Sequence, residues 1–235
     1  NSAGFWLECP GLIQDTSEYL SLSIDDFLIK WRSRCDNMKI NIAAFHCTRT
    51  PDPESFLKNG IKPLDKSQIQ DFYKNAGIAF PDLRLDMKQK EIITKAICDE
   101  DQWKIREGNG PCFYISLKWA IKSGNTYLKV GSEVMLLYIK VLIDYCKKMH
   151  IKIPCYDQEE FKHKLANISN PIIFYCEFPY SILPDHKYES MTRFMLGSFF
   201  EVLNGENISS QYKEAGIDLK GNCLPPKYIY DFDVI

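Results

Sequence analysis

A chain of 235 residues with 45% hydrophobic and 26% charged side chains suits one large domain, since compact domains reach roughly 250 residues. That composition excludes disordered and fibrous classes, and a formal net charge of −2 gives no general pull toward nucleic acid or anionic lipid. No apolar run reaches the ~18 residues of a bilayer span; the longest, Val134 to Tyr145, is interrupted by Lys140 and Asp144. No signal-peptide pattern opens the sequence, so a soluble, cytoplasmic protein without a membrane partner is expected.

The nine cysteines form no C-x-x-C pair, and several, such as Cys146 and Cys176, fall in apolar runs. Reduced, buried thiols fit that pattern better than a disulfide framework. N-x-S sequons at Asn167 and Asn207 occur often by chance and do not change the expectation. No cluster of His, Asp or Cys has metal-ligand spacing.

In chain order, Ser23 to Arg34 reads as a helix, with Ser23 as cap and Asp25 and Asp26 in the first turn. Residues 39–48, rich in Ile, Ala and Phe, form the first strand. Pro51-Asp52-Pro53-Glu54 then opens a short helix that stops at Asn59-Gly60. A helix is predicted over Lys66 to Asn75 and a longer, solvated one over Leu85 to Ile105, broken by Glu107 to Pro111. Cys112 to Leu117 is a short strand, and Ser116 to Ile121 begins a helical turn.

Val134 to Met149 has the length and apolar surface of a buried helix. A helix over Asp157 to Leu165, a strand over Pro171 to Phe178 and a turn over Pro179 to Pro184 follow. Ser190 to Leu203 is either helix or strand, weakened both ways by Gly197, and Leu224 to Val234 closes the chain as a strand. The fold class is α+β, with mixed or antiparallel sheets and packed helices; no glycine-rich strand-to-helix fingerprint points to a doubly wound sheet. Residues 1–39 read as an N-terminal helical extension on a domain of residues 40–235.

The chemistry-bearing group is Phe45-His46-Cys47-Thr48-Arg49, at the end of the first strand, where polar side chains often meet a ligand. Two later segments offer partners: Gly110 to Ser116, in which period-two alternation puts Tyr114 and Ser116 on one face, and Tyr127 to Glu133. Helix capping alone accounts for Ser132 and Glu133. A core role suits His46 and Tyr114 as well as a functional one. Cysteine chemistry at Cys112 or Cys47 would need a lowered thiol pKa.

His46, the helix ending at Gly60-Ile61, the Gly110-Pro111-x-x-Tyr114-x-Ser116 segment and the closing Leu224-Pro225-Pro226-Lys227-Tyr228-Ile229 together resemble ADP-ribosyltransferases of the diphtheria-toxin and poly-ADP-ribosyl type. The resemblance covers residues 40–235 and implies a cleft for NAD⁺, used as substrate, on an ADP-ribosyltransferase-like fold. It implies that His46 bonds the nicotinamide-side ribose, with Tyr114 or Tyr127 stacking on the nicotinamide. Thr48 and Ser116 would complete the contacts. A glutamate would stabilise the oxocarbenium-like centre as nicotinamide leaves.

That glutamate is assigned to Glu133, in the densest cluster, although the family carries it on a strand; Glu177 and Glu201 are rivals. Arg49 could hold a pyrophosphate by paired hydrogen bonds or lie solvated at the surface. The expected activity is NAD-dependent ADP-ribosyl transfer or NAD hydrolysis, as in bacterial toxins and effectors, with a protein acceptor favoured over nucleic acid. The alternative is a non-enzymatic interaction module of similar fold, using aromatics such as Phe5, Trp6, Phe199, Phe200, Tyr228, Tyr230 and Phe232. Convergence of His46, a tyrosine and a glutamate on one cleft would favour the enzyme.

Overall fold

The structure, a computed structural model, describes residues 11–107, 110–153, 157–205 and 216–235. Phe5 and Trp6 lie outside the described residues, as do the side chains of Glu133, His186 and Phe200. Among the described residues the fold is α+β: a single open sheet of five strands, every pairing antiparallel, with helices on both faces.

Two helices lead, α1 (Gly11–Tyr19) and α2 (Ile24–Asn37), the second capped by Ser23, whose Oγ accepts from the Asp26 backbone N–H. Strand β1 (Asn41–Thr50) follows, then α3 (Glu54–Asn59) and α4 (Ser67–Ala79). The single solvated helix expected over Leu85 to Ile105 is in fact two, α5 (Met87–Asp99) and α6 (Asp101–Arg106). Asp86 and Gln89 form a reciprocal capping box at the start of α5, and extended backbone at Glu100 (ψ 138°) separates the pair. They are not merely a surface layer, because Ile93, Ile97 and Trp103 are fully buried.

Strand β2 is only Cys112–Tyr114; Ser116 lies beyond it, capping α7 (Leu117–Ser123). A second short helix, α8 (Asn125–Val130), precedes α9 (Glu133–Lys148) and α10 (Gln158–Asn167). Strand β3 (Asn170–Pro179) runs into a 3₁₀ turn at Tyr180–Ile182 and then α11 (Asp185–Leu203), so the ambiguous segment is helical through Gly197. Strand β4 (Gly216–Asp218), a 3₁₀ turn at Pro226–Tyr228 and β5 (Ile229–Val234) complete the chain.

The sheet order is β4-β2-β1-β3-β5, which puts β1 at its centre. Ten register pairs, from Asn41↔Pro179 to Thr50↔Asn170, join β1 to β3 along their whole length. Because side chains alternate, Ile42, Ala44, His46, Thr48 and Thr50 share one face of β1, while Phe45, Cys47 and Arg49 share the other.

Each face has its own core. On the His46 face, Phe113, Phe174, Cys176 and Phe178 pack with Cys35 of α2, Tyr188 and Met191 of α11, and Ile61 and Leu224. On the Arg49 face, Cys47 and Ile173 pack with Ala120 of α7 and Leu128 of α8. A third core joins α4, α5, α6, α9 and α10 around Phe72, Ile97, Trp103, Leu142 and Phe161. Each such side chain contributes about 1.5–3 kcal/mol by leaving water.

Two glycines fix how loops meet the sheet. Gly60 has φ +77°, and a Cβ there would stand 2.1 Å from the Leu224 carbonyl oxygen, where Ile61 and Leu224 bridge. At Gly124 a Cβ would lie 2.3 Å from the Ala120 oxygen and 2.7 Å from the Cys47 Sγ. The turn between α7 and α8 reaches β1 only because that side chain is missing.

Candidate functional site

His46 stands in a cross-strand row of otherwise apolar side chains. Pairing of Phe45 with Tyr114 puts His46 opposite Phe113 one step along, and Phe113 pairs in turn with Ile217. On the other side His46 pairs with Phe174 and Phe174 with Phe232. The row therefore reads Ile217, Phe113, His46, Phe174, Phe232 across all five strands. The imidazole lies 5.5 Å from the Phe113 ring centroid, and Phe56 of α3 stacks on Phe174 at 4.8 Å.

The protonation state of His46 follows from its surroundings. Its Nδ1 lies 2.9 Å from the Cys112 carbonyl oxygen. A carbonyl only accepts, so Nδ1 carries the proton and donates. Burial lowers the pKa below its ordinary value of 6.5, and the bond to Cys112 offsets this only in part. At neutral pH the ring is uncharged, and Nε2 offers a lone pair to a hydroxyl or amide donor. Thr48, half-buried, lies two residues along on the same face and adds a second polar group beside it.

Tyr114 lies on the other side of the sheet. It pairs with Phe45 and packs, with Tyr127 of α8, against the cluster of Cys47, Ala120, Leu128 and Ile173. The two tyrosines are thus brought together with each other but not with His46. The expected sharing of a face by Tyr114 and Ser116 also fails, because Ser116 is past the strand end and its Oγ accepts from the Trp119 N–H at 3.4 Å.

Arg49 is neither a solvated surface group nor a free fork. Its Nη1 donates to the Leu128 carbonyl at 2.5 Å, its Nη2 to those of Ala166 and Ser169 at 2.6 and 2.5 Å, and its Nε to Ser169 Oγ at 3.2 Å. It ties β1 to α8 and to the C-terminal end of α10. Burial lowers its pKa. It also lines a cleft of about 540 Å³ between α8, α10 and the strand ends, with Asn125, Lys129, Lys162 and His163.

The three glutamates come from separate elements. Glu133 is the first residue of α9, where Ser132 Oγ accepts from the Met135 N–H at 3.3 Å, but its side chain lies outside the described residues. Glu177 pairs with Ala43, three positions from His46 and on the opposite face, and accepts from Asn41 Nδ2 at 2.8 Å. Glu201 belongs to α11. Among the cysteines, burial pushes the Cys47 thiol up to about 12, and its S–H points to the Ala120 carbonyl at 3.4 Å. Such a thiol is no nucleophile at neutral pH. Cys112 is exposed and carries the carbonyl that orients His46.

Sequence reasoning missed the Phe113 and Phe174 flanks of His46, although each is an apolar residue at strand parity. It also missed the cationic cleft, because its cations Arg49, Lys129 and Lys162 come from three separate segments. Comparison of the chain with protein-family models, curated proteins and solved structures gives no match.

Proposed function

We propose that this protein binds NAD⁺ on the His46 face of its sheet and acts as an ADP-ribosyltransferase or NAD glycohydrolase of the type its sequence resembles. The supporting observation is the neutral His46 with its Nδ1 held by the Cys112 carbonyl, the one polar side chain in an otherwise apolar cross-strand row. Its Nε2 lone pair suits a ribose hydroxyl, while Phe113 and Phe174 are fully buried in the core and hold the imidazole in place. In the reaction the bond between ribose C1′ and the nicotinamide nitrogen breaks. Nicotinamide leaves with the electron pair, and water or an acceptor nucleophile attacks C1′ and gives up its proton. A carboxylate near C1′ would stabilise the developing positive charge. Glu133 is the candidate for that role.

A second reading has its own support. Tyr114, Tyr127 and Arg49 lie across the sheet from His46, and Ser116 and Ser132 are spent as helix caps. That dispersal favours a binding module without turnover. Titration calorimetry with NAD⁺ tests the first reading: binding by the wild type, weakened at least about tenfold in His46→Ala, agrees with it. Equal affinity of both proteins removes His46 from the site.

A further inference from the structure

We propose a second ligand site, on the sheet face opposite His46: the cleft between α8, α10 and the strand ends binds the phosphate group of a small phosphorylated ligand. The first support is an imbalance of charge inside a concave site. Arg49, Lys129 and Lys162 line the cleft, against one acidic side chain, Glu159. Glu159 is already engaged by Lys162, at 2.9 Å from both carboxylate oxygens.

The second support is the guanidinium itself. Every hydrogen bond given by Arg49 goes to a neutral oxygen, on Leu128, Ala166 or Ser169. Among the described residues no carboxylate lies within ion-pair distance of it. A desolvated cation satisfied only by dipoles retains an uncompensated charge, which an entering anion would neutralise. Burial lowers the pKa of Arg49.

The third support is shape. At about 540 Å³ the cleft falls within the usual range of small-molecule sites, and Ile121, Leu128 and Pro171 give it an apolar wall beside the cations. Lys129 stands exposed at the mouth, where it could meet a phosphate as a point charge. This site does not depend on the reading of His46, since the two groups occupy opposite faces of β1.

Calorimetric titration with inorganic phosphate, adenosine 5′-monophosphate and neutral adenosine tests the proposal. Both phosphate-bearing probes should bind, and adenosine should not. Lys129→Ala should weaken binding about tenfold, rising salt should weaken it further, and His46→Ala should leave it unchanged. Because Lys129 is exposed, its variant should keep the wild-type thermal midpoint. Absence of binding up to about 10 mM of either phosphate-bearing probe, or affinity unchanged in Lys129→Ala, overturns the site. Binding of the monophosphate and adenosine with equal affinity overturns it too.

Discussion

His46 and Tyr114 occupy opposite faces of the central sheet. Tyr114 pairs with Phe45, so its ring joins the cluster around Cys47, while His46, one residue on, turns to Phe113 and Phe174. A one-residue difference in parity inverts the face of every side chain on a strand. No tyrosine that the sequence offered for nicotinamide stacking therefore stands beside the histidine offered for the ribose.

The pH response of stability should carry the signature of His46. Its folded pKa lies below the ordinary 6.5, so the unfolded chain takes up the proton first as pH falls. Stability from this group is fully present above about 6.5 and declines as pH falls toward the folded pKa. Thermal melts between about pH 8 and pH 5 should show that decline, with a shallower slope in His46→Gln. Identical slopes would mean that His46 is not held neutral.

Arg49→Lys should destabilise the fold despite the conserved charge. One ammonium cannot reach Leu128, Ala166 and Ser169 together, so at least one part-buried carbonyl loses its donor. A loss of about 2–4 kcal/mol in urea denaturation is expected, because hydrogen bonds to a charged donor are worth about 1.5–3 kcal/mol each. A change below about 0.5 kcal/mol would show that the staple is not needed.

Gly124→Ala should be costly for a steric reason. The new methyl would overlap the Ala120 oxygen and the Cys47 side chain, pushing α7 and α8 off β1. Overpacking of this kind costs about 1–3 kcal/mol. Gly77→Ala is the control: its added Cβ meets nothing within 4 Å, and replacing a helical glycine by alanine should be neutral or stabilising. Equal effects of the two substitutions would refute the packing account.

The glutamates can be separated by nicotinamide release. Glu133→Gln should lower the rate at least about a hundredfold while leaving NAD⁺ affinity within about twofold, as expected for a group that acts only in the transition state. Glu177→Gln should leave the rate unchanged, since Glu177 is three register steps from His46 and faces away. Full activity in Glu133→Gln would remove it from the mechanism.

Much of the fold was legible because local signals and burial agree. The run from Ile40 to Phe45 and the segment Pro171 to Phe178 are long enough, and apolar enough, to become the central strands. Ser23, Ser116 and Ser132 cap the helices they precede. Short elements were not legible: α8 has six residues and no side-chain cap, and β4 has three residues. The break at Glu100 was hidden by helix-favouring residues on both sides. Face parity between β1 and β2 was beyond reach as well. It depends on the register of two strands more than sixty residues apart, which neither strand encodes alone.

The most direct test of the central claim is nicotinamide release from NAD⁺ by the wild-type protein and by His46→Ala, with the fold of each confirmed by its thermal midpoint. Release by the wild type that drops at least about a hundredfold in a folded His46→Ala protein is the expected result. Equal release by both proteins would contradict the claim. So would the absence of both NAD⁺ binding and release in the wild type.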